Sequence, residues 1–286
     1  MNIMQDWNAD FVLDLLLESA EIAHRIKSDP HVAVKDDRTP VSDADQGIEN
    51  LLTEKLGAEN LLGEETFQKR DHDQLIDQLL HGKIWIIDPI DGTANFINRR
   101  PLWGITIGYA DHGTITRGAI FLPEFGQLLI TGNDGTPMLA DPGHPYPTRT
   151  ELKNALAPAK HPGRKFDSTS CINLSQLFTK RGRFSGVNPV ITVGSCICSG
   201  MDLVLGRDAV YMTNAKVWDM AGMLPNLAGL GFYSVNRSGQ HLLDCRITPE
   251  LFQLEADAKT PFALRETHWI GSSREAVETI MPLCEI

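Results

Sequence analysis

Apolar and polar positions alternate with different periods along the chain. From Asn8 to Lys27, Phe11, Val12, Leu15, Leu16, Ser19, Ala20, Ala23 and Ile26 recur at helical spacing, and Asp29-Pro30 stops the pattern. Val32–Lys35 predicts a short strand. Ser42 then opens a helix whose face carries Ile48, Leu51, Leu52 and Leu56, with Ser42-x-x-Asp45 as its cap. Asn60–Glu65 reads as a short apolar strand ending in glycine and two glutamates. The stretch 70–82 is polar and irregular, with a helical turn over Gln74–Leu80. Lys83–Ile87 predicts a buried strand. Trp103, Ile105, Ile107 and Tyr109 alternate with small or polar residues, and Ile115–Phe121 and Gln127–Thr131 continue an antiparallel meander across short turns.

Residues 132–164, rich in Pro, Gly, Asp and Asn, predict an extended connection. Beyond it the pattern predicts a helix over Cys171–Lys180, a strand over Val190–Val193 and a helix from Gly194-Ser195 through Met201 to Leu205. A strand over Ala209–Met212 follows, then a helix starting near Asp219, kinked or shortened by Pro225 and ended by Gly229 or Gly231. Strands at Phe232–Val235 and His268–Ile270 and a last helix capped by Ser272 or Ser273 complete the series. Helices, a meander, then alternating strands and helices predict a layered α/β (α+β) chain. The expected organisation is one domain over 1–286, with halves at 1–140 and 150–286 sharing a cleft.

Composition narrows the function. The 286 residues carry a formal net charge of −11, which disfavours nucleic acid and anionic membranes as partners but leaves room for a small phosphorylated metabolite. No apolar run approaches the ~20 residues that cross a bilayer, and the first ten residues lack a secretory pattern. Five cysteines without zinc-site or C-x-x-C spacing read as reduced thiols, so the expected compartment is the cytoplasm.

The chemistry concentrates in Lys83–Phe96, KIWIIDPIDGTANF. Asp88 and Asp91 lie three residues apart at a strand end, a pattern that suits a hard cation, and the amides of Gly92 and Thr93, if they open a helix, suit a phosphate. Taken alone, the same residues also describe a strand followed by an Asp-Gly turn. Asp45 has two readings as well, a helix-dipole partner or a carboxylate facing a site. Asp45, Glu64, the Asp88/Asp91 pair and Asp219 form four acidic stations at element ends.

Gly63-Glu64-Glu65, Asp88–Thr93 (DPIDGT) and Trp218–Gly222 (WDMAG) resemble the signatures of the inositol monophosphatase-like family. So do Lys35–Asp45 and the Gly194-Ser195-Cys196 turn. The resemblance implies an αβαβα sandwich, usually a homodimer, acting as a Mg2+-dependent and Li+-sensitive phosphomonoesterase with two or three ions. Glu64, Asp88 and the Ile90 carbonyl would hold the first ion, and Asp88, Asp91 and Asp219 the second. A third would lean on Glu64. Asp45 and Thr93 would orient and deprotonate water. Gly92 and Thr93 would bind phosphate, aided by the Gly194–Cys196 turn, with Glu65 and Lys35 in support. Inositol-specific members carry a substrate-binding glutamate where this chain has Met212, which points to a different ester. Inositol, sugar or histidinol phosphates are the expected substrates. A 3′-phosphoadenosine nucleotide phosphatase and a catalytically silent metal- or phosphate-binding partner are the alternatives.

Overall fold

The computed structural model describes residues 5–34 and 40–285. Lys35 lies outside the described residues. Helix α1 (Ala9–Ile26) is capped by Asn8, and a small hairpin of β1 (Val32–Val34) and β2 (Pro40–Ser42) leads into α2 (Asp43–Leu56). Then come β3 (Leu61–Gly63), α3 (His72–His81), β4 (Lys83–Asp91), α4 (Thr93–Ile97), β5 (Gly104–Asp111), β6 (Thr114–Leu122), β7 (Gln127–Thr131), β8 (Pro137–Ala140), α5 (Arg149–Ala155) and β9 (Ala157–Pro158). Strands β3 to β9 form one sheet in sequence order, antiparallel except for the β3–β4 pair.

The rest of the chain adds β10 (Cys171–Asn173), α6 (Gln176–Arg181), β11 (Arg183–Phe184), β12 (Val190–Ile191), α7 (Cys196–Val204), β13 (Asp208–Thr213), α8 (Val217–Ala221), α9 (Leu224–Leu230), β14 (Tyr233–Asn236), β15 (His268–Gly271), α10 (Arg274–Ile280) and β16 (Cys284–Glu285). A second sheet runs β12-β10-β13-β15-β14, parallel in its first half and antiparallel in its second.

Strand periodicity sorts the apolar residues into separate layers. On β4, Trp85 and Ile87 face α1 and α2, while Ile84 and Ile86 face the other side, where α7, α8 and α9 pack. On β13, Tyr211 joins the central layer, whereas Val210 and Met212 face the outer layer against α10. The result is helices, sheet, helices, sheet, helices: the expected αβαβα sandwich. Among the described residues no helix is long and apolar enough to cross a membrane, and all five cysteines are free thiols.

Four expectations need correction. Strand β4 continues past Ile87 to Asp91, because an irregular pairing absorbs Pro89. The helical turn expected over Gln74–Leu80, in a stretch otherwise read as irregular, extends to the ten-residue helix α3, capped by Asp71 and anchored by buried Leu75 and Leu79. The stretch 132–164 is not merely a connection: β8 extends the large sheet, and a Thr148–Glu151 capping box starts α5. Cys171 opens a strand, and a helix begins only at Gln176, because Cys171–Asn173 slots between β12 and β13. Pro225 does divide the helical pattern after Asp219, standing in the first turn of α9, where its missing N–H costs no helical bond.

Candidate metal and phosphate site

Side chains three residues apart on a regular strand point to opposite faces. Between Asp88 and Asp91 the pairing of β4 with β5 slips, and both carboxylates line one cleft of about 650 Å³. The Ile90 N–H donates to Asp88 Oδ1 at 3.0 Å, fixing one oxygen. Gly92 follows at φ 92°, a conformation that side-chain-bearing residues rarely adopt, and a Cβ there would sit 2.8 Å from the Leu102 carbonyl. The turn starts α4, whose first N–H groups lack helical partners, and Gly92, Thr93 and Ala94 all line the cleft.

Asp45, in the first turn of α2, divides its two oxygens between structure and site. Oδ2 accepts from the Ser42 N–H at 2.8 Å and the Ser42 hydroxyl at 2.5 Å, completing the cap. Oδ1 lies 3.1 Å from Thr93 Oγ1, which is also 2.9 Å from the Ile90 carbonyl oxygen. Burial pushes the Asp45 carboxyl up to about 6 against the hydrogen bonds from Ser42 and Thr93.

Glu64 leaves the end of β3, and Asp219 sits in the first turn of α8. Carboxylate oxygens of Glu64, Asp88 and Asp219 all lie within 4.8 Å of one another. Asp91 stands beside them but is held from another side. Its Oδ2 accepts from the Ser195 hydroxyl and, at 2.9 Å, from the Ile197 N–H at the start of α7. The Gly194–Cys196 turn therefore lines the cleft while aiming its donors at Asp91.

Burial, then the neighbouring Glu64, Asp219, Asp91 and Asp45 charges, hold the Asp88 carboxyl well above its ordinary range. Burial, Asp91 and Glu64 raise Asp219 to about 8, opposed by Lys216, whose N–H donates to Asp219 Oδ2 at 2.8 Å. Burial raises Asp91 to about 6. Without a cation these acids oppose one another. A hard divalent ion takes several such oxygens and relieves that repulsion, so the donor set fits a metal centre. Burial and the Asp91 charge raise the Cys196 thiol well above its usual value, which disfavours a nucleophilic thiolate.

Met212 is a correction. Its side chain is fully buried in the outer layer, on the face of β13 opposite the cleft, and the cleft-lining residues of that strand are Tyr211 and Thr213. Glu65 contributes its backbone, whose N–H donates to Glu49 Oε2 at 2.9 Å.

The sequence reading overlooked Glu49 and Lys216. Glu49, buried on α2 one turn after Asp45, also accepts the Thr66 hydroxyl at Oε1, so it grips the turn that carries Glu64. A Cβ on Gly63 would fall 2.2 Å from that oxygen, so glycine is needed for this approach. A glutamate within an apolar helix face was the available signal. Groups that orient metal ligands affect affinity about 10- to 100-fold, so Glu49→Ala is expected to weaken Mg2+ binding by that factor, as read by titration calorimetry. Unchanged affinity in a folded variant would show that the turn holds without it. Lys216 carried no recognisable spacing signal; its ammonium lies 3.8 Å from Glu64 Oε1.

The sequence profile of the Inositol monophosphatase family matches residues 9–280. A histidinol-phosphatase of Chlorobaculum parvum is 36% identical over 126 residues, 41% of this chain and 46% of that protein. Inositol monophosphatase 2 of Rattus norvegicus is 26% identical over 253 residues, 84% of this chain and 85% of that one. The match thus spans about half of the first relative and most of the second. Among solved structures, an IMPase of Thermotoga maritima superposes with a TM-score of 0.67 at 17% identity, covering 96% of both chains. An IMPase/NADP phosphatase complexed with NADP and Ca2+ gives 0.69 at 17% identity, covering 98% of this chain and 97% of that one. This chain belongs to the inositol monophosphatase family.

Proposed function

We propose that the chain hydrolyses a small phosphomonoester with Mg2+ as its cation. The observation that carries this reading is the convergence of Glu64, Asp88 and Asp219 in the cleft that Thr93, hydrogen-bonded to the buried Asp45, also lines. Glu64, Asp88 and Asp219, with Asp91 and the Ile90 carbonyl beside them, would hold two or three ions. Bound there, divalent cations neutralise phosphoryl charge, acidify water and stabilise the leaving oxygen.

The chain's own groups do the positioning. The N–H groups of the Gly92-Thr93 turn orient the phosphoryl oxygens. The Thr93 hydroxyl orients the attacking water and relays its proton to Asp45 Oδ1, whose partner oxygen is anchored by Ser42. Catalysis is then a matter of geometry and charge, and no covalent enzyme intermediate is needed.

Away from the carboxylates the cleft is lined by Asn173, Gln176, Thr213, Asn214, Gln253 and Thr260, hydrogen-bonding side chains that suit a hydroxylated leaving group, together with the charged Arg265 and Glu266. Among the described residues the cleft's one aromatic side chain, Tyr211, is buried, which offers little to stack an adenine. That favours a sugar or polyol phosphate over a phosphoadenosine nucleotide. Histidinol phosphate belongs in the test because a histidinol-phosphatase is among the relatives.

Phosphate release from inositol, sugar, histidinol and 3′-phosphoadenosine phosphates, with and without Mg2+, tests the proposal. Mg2+-dependent release that Li+ suppresses supports it and names the ester. Folded protein that binds Mg2+ yet releases no phosphate from any ester would favour the silent-partner alternative.

A further inference from the structure

Lys216 is the one residue of the cluster's own strand-to-helix turn that opposes its charge. Its position is fixed from several sides. The Val217 N–H donates to the Phe262 carbonyl at 2.9 Å and the Leu264 N–H to the Ala215 carbonyl at 3.0 Å, so residues 215–217 are clamped by the 262–264 segment. The side chain lies over the buried Trp218 ring, with its ammonium 5.1 Å from the centroid. That ring in turn packs against Phe67 and Phe262. Phe67, three residues after Glu64, also packs edge-on against Phe262, so one aromatic cluster joins the segments that carry the ammonium and the carboxylate. The ion pair is partly shielded, with the Lys216 and Glu64 side chains 25% and 16% exposed.

We propose that Lys216 is a tethered competitor at the metal centre. In the metal-free protein its ammonium neutralises the Glu64 end of the carboxylate cluster. A divalent cation gains full use of that carboxylate only by displacing it. The tether lessens carboxylate repulsion before metal arrives and lowers the affinity for metal. Displacement leaves the ammonium on the cleft wall, where Lys216 is already a lining residue. The proposal rests on the metal-centre reading above.

The experiment uses Mn2+ alone, without substrate, as the probe. Calorimetric titration and thermal unfolding, in chelator and in Mn2+, are measured for the wild type, Lys216→Met and Lys216→Arg. Methionine keeps an unbranched stem over Trp218 and removes the charge. Removing a unit charge about 4 Å from a metal-ligating carboxylate, screened by partial exposure, is expected to tighten Mn2+ binding about tenfold. The melting temperature in chelator should fall, and the rise on adding Mn2+ should grow. Arginine should stay near the wild type. Lys216→Gln carries the same expectation as methionine if that variant does not fold.

Unchanged or weaker Mn2+ binding in the uncharged variants would overturn the competitor role, as would equal loss of stability with and without Mn2+. A wild type that binds no Mn2+ would instead overturn the metal-centre reading itself.

Discussion

Asp88→Asn is expected to lower Mg2+-dependent phosphate release by at least about 10³-fold, since cation stabilisation of such transition states is worth several kcal/mol and each 1.4 kcal/mol is tenfold in rate. The same change should make the metal-free protein more stable near neutral pH. Both effects have one cause. Asp88 is buried among Glu64, Asp219, Asp91 and Asp45, so burial and their charges oppose its own unless a cation lies among them.

The pH dependence gives the sign. Asp219, Asp91 and Asp45 have folded-state values of about 8, 6 and 6, all above the ordinary 3.8. The folded state therefore holds protons that the unfolded state releases. The stability this contributes is fully present below about pH 4 and is lost as pH rises toward about 8. Metal-free wild type should lose stability across that window, and saturating Mg2+ should restore most at its upper end. Thermal unfolding in chelator and in Mg2+, at several pH values, checks this. An Asp88→Asn protein less stable than the wild type in chelator would mean that the cluster is not under repulsion.

Asp45→Asn separates proton transfer from metal binding. General-base contributions are typically 10²- to 10⁴-fold, so kcat should fall by about that factor. Mg2+ affinity should change little, because Asp45 is outside the three-carboxylate group. The acid limb of the kcat/KM profile should be lost with it. In the metal-free chain that carboxyl sits at about 6, and nearby cations would bring it lower. Asparagine keeps an oxygen for Ser42, so the helix cap should survive. A variant with near wild-type kcat and an unaltered acid limb would remove Asp45 from the mechanism.

The family and the layered fold were legible in the sequence because their signals are local. DPIDGT, GEE and WDMAG are short motifs, and helical or alternating periods mark α1, α2 and the meander. Weaker elements escaped for the same reason. Strand β10 is three residues long and exists because β12 and β13 flank it, and α3, anchored by two leucines amid polar residues, was legible only as a turn over Gln74–Leu80.

The sequence by itself determined which residue types could bind a cation and a phosphate, and in what order they occur. Only the tertiary structure decided which of them meet. The slipped pairing in β4 put Asp88 and Asp91 in one cleft, and α7 drew Asp91 toward Ser195. The two-residue period of β13 turned Met212 away and presented Thr213. Glu49 and Lys216 acquired their places from contacts across α2, β3 and α8 that no spacing along the chain encodes. A motif records which groups are available, whereas side-chain direction depends on strand register and helix packing, which are set by contacts distant in sequence.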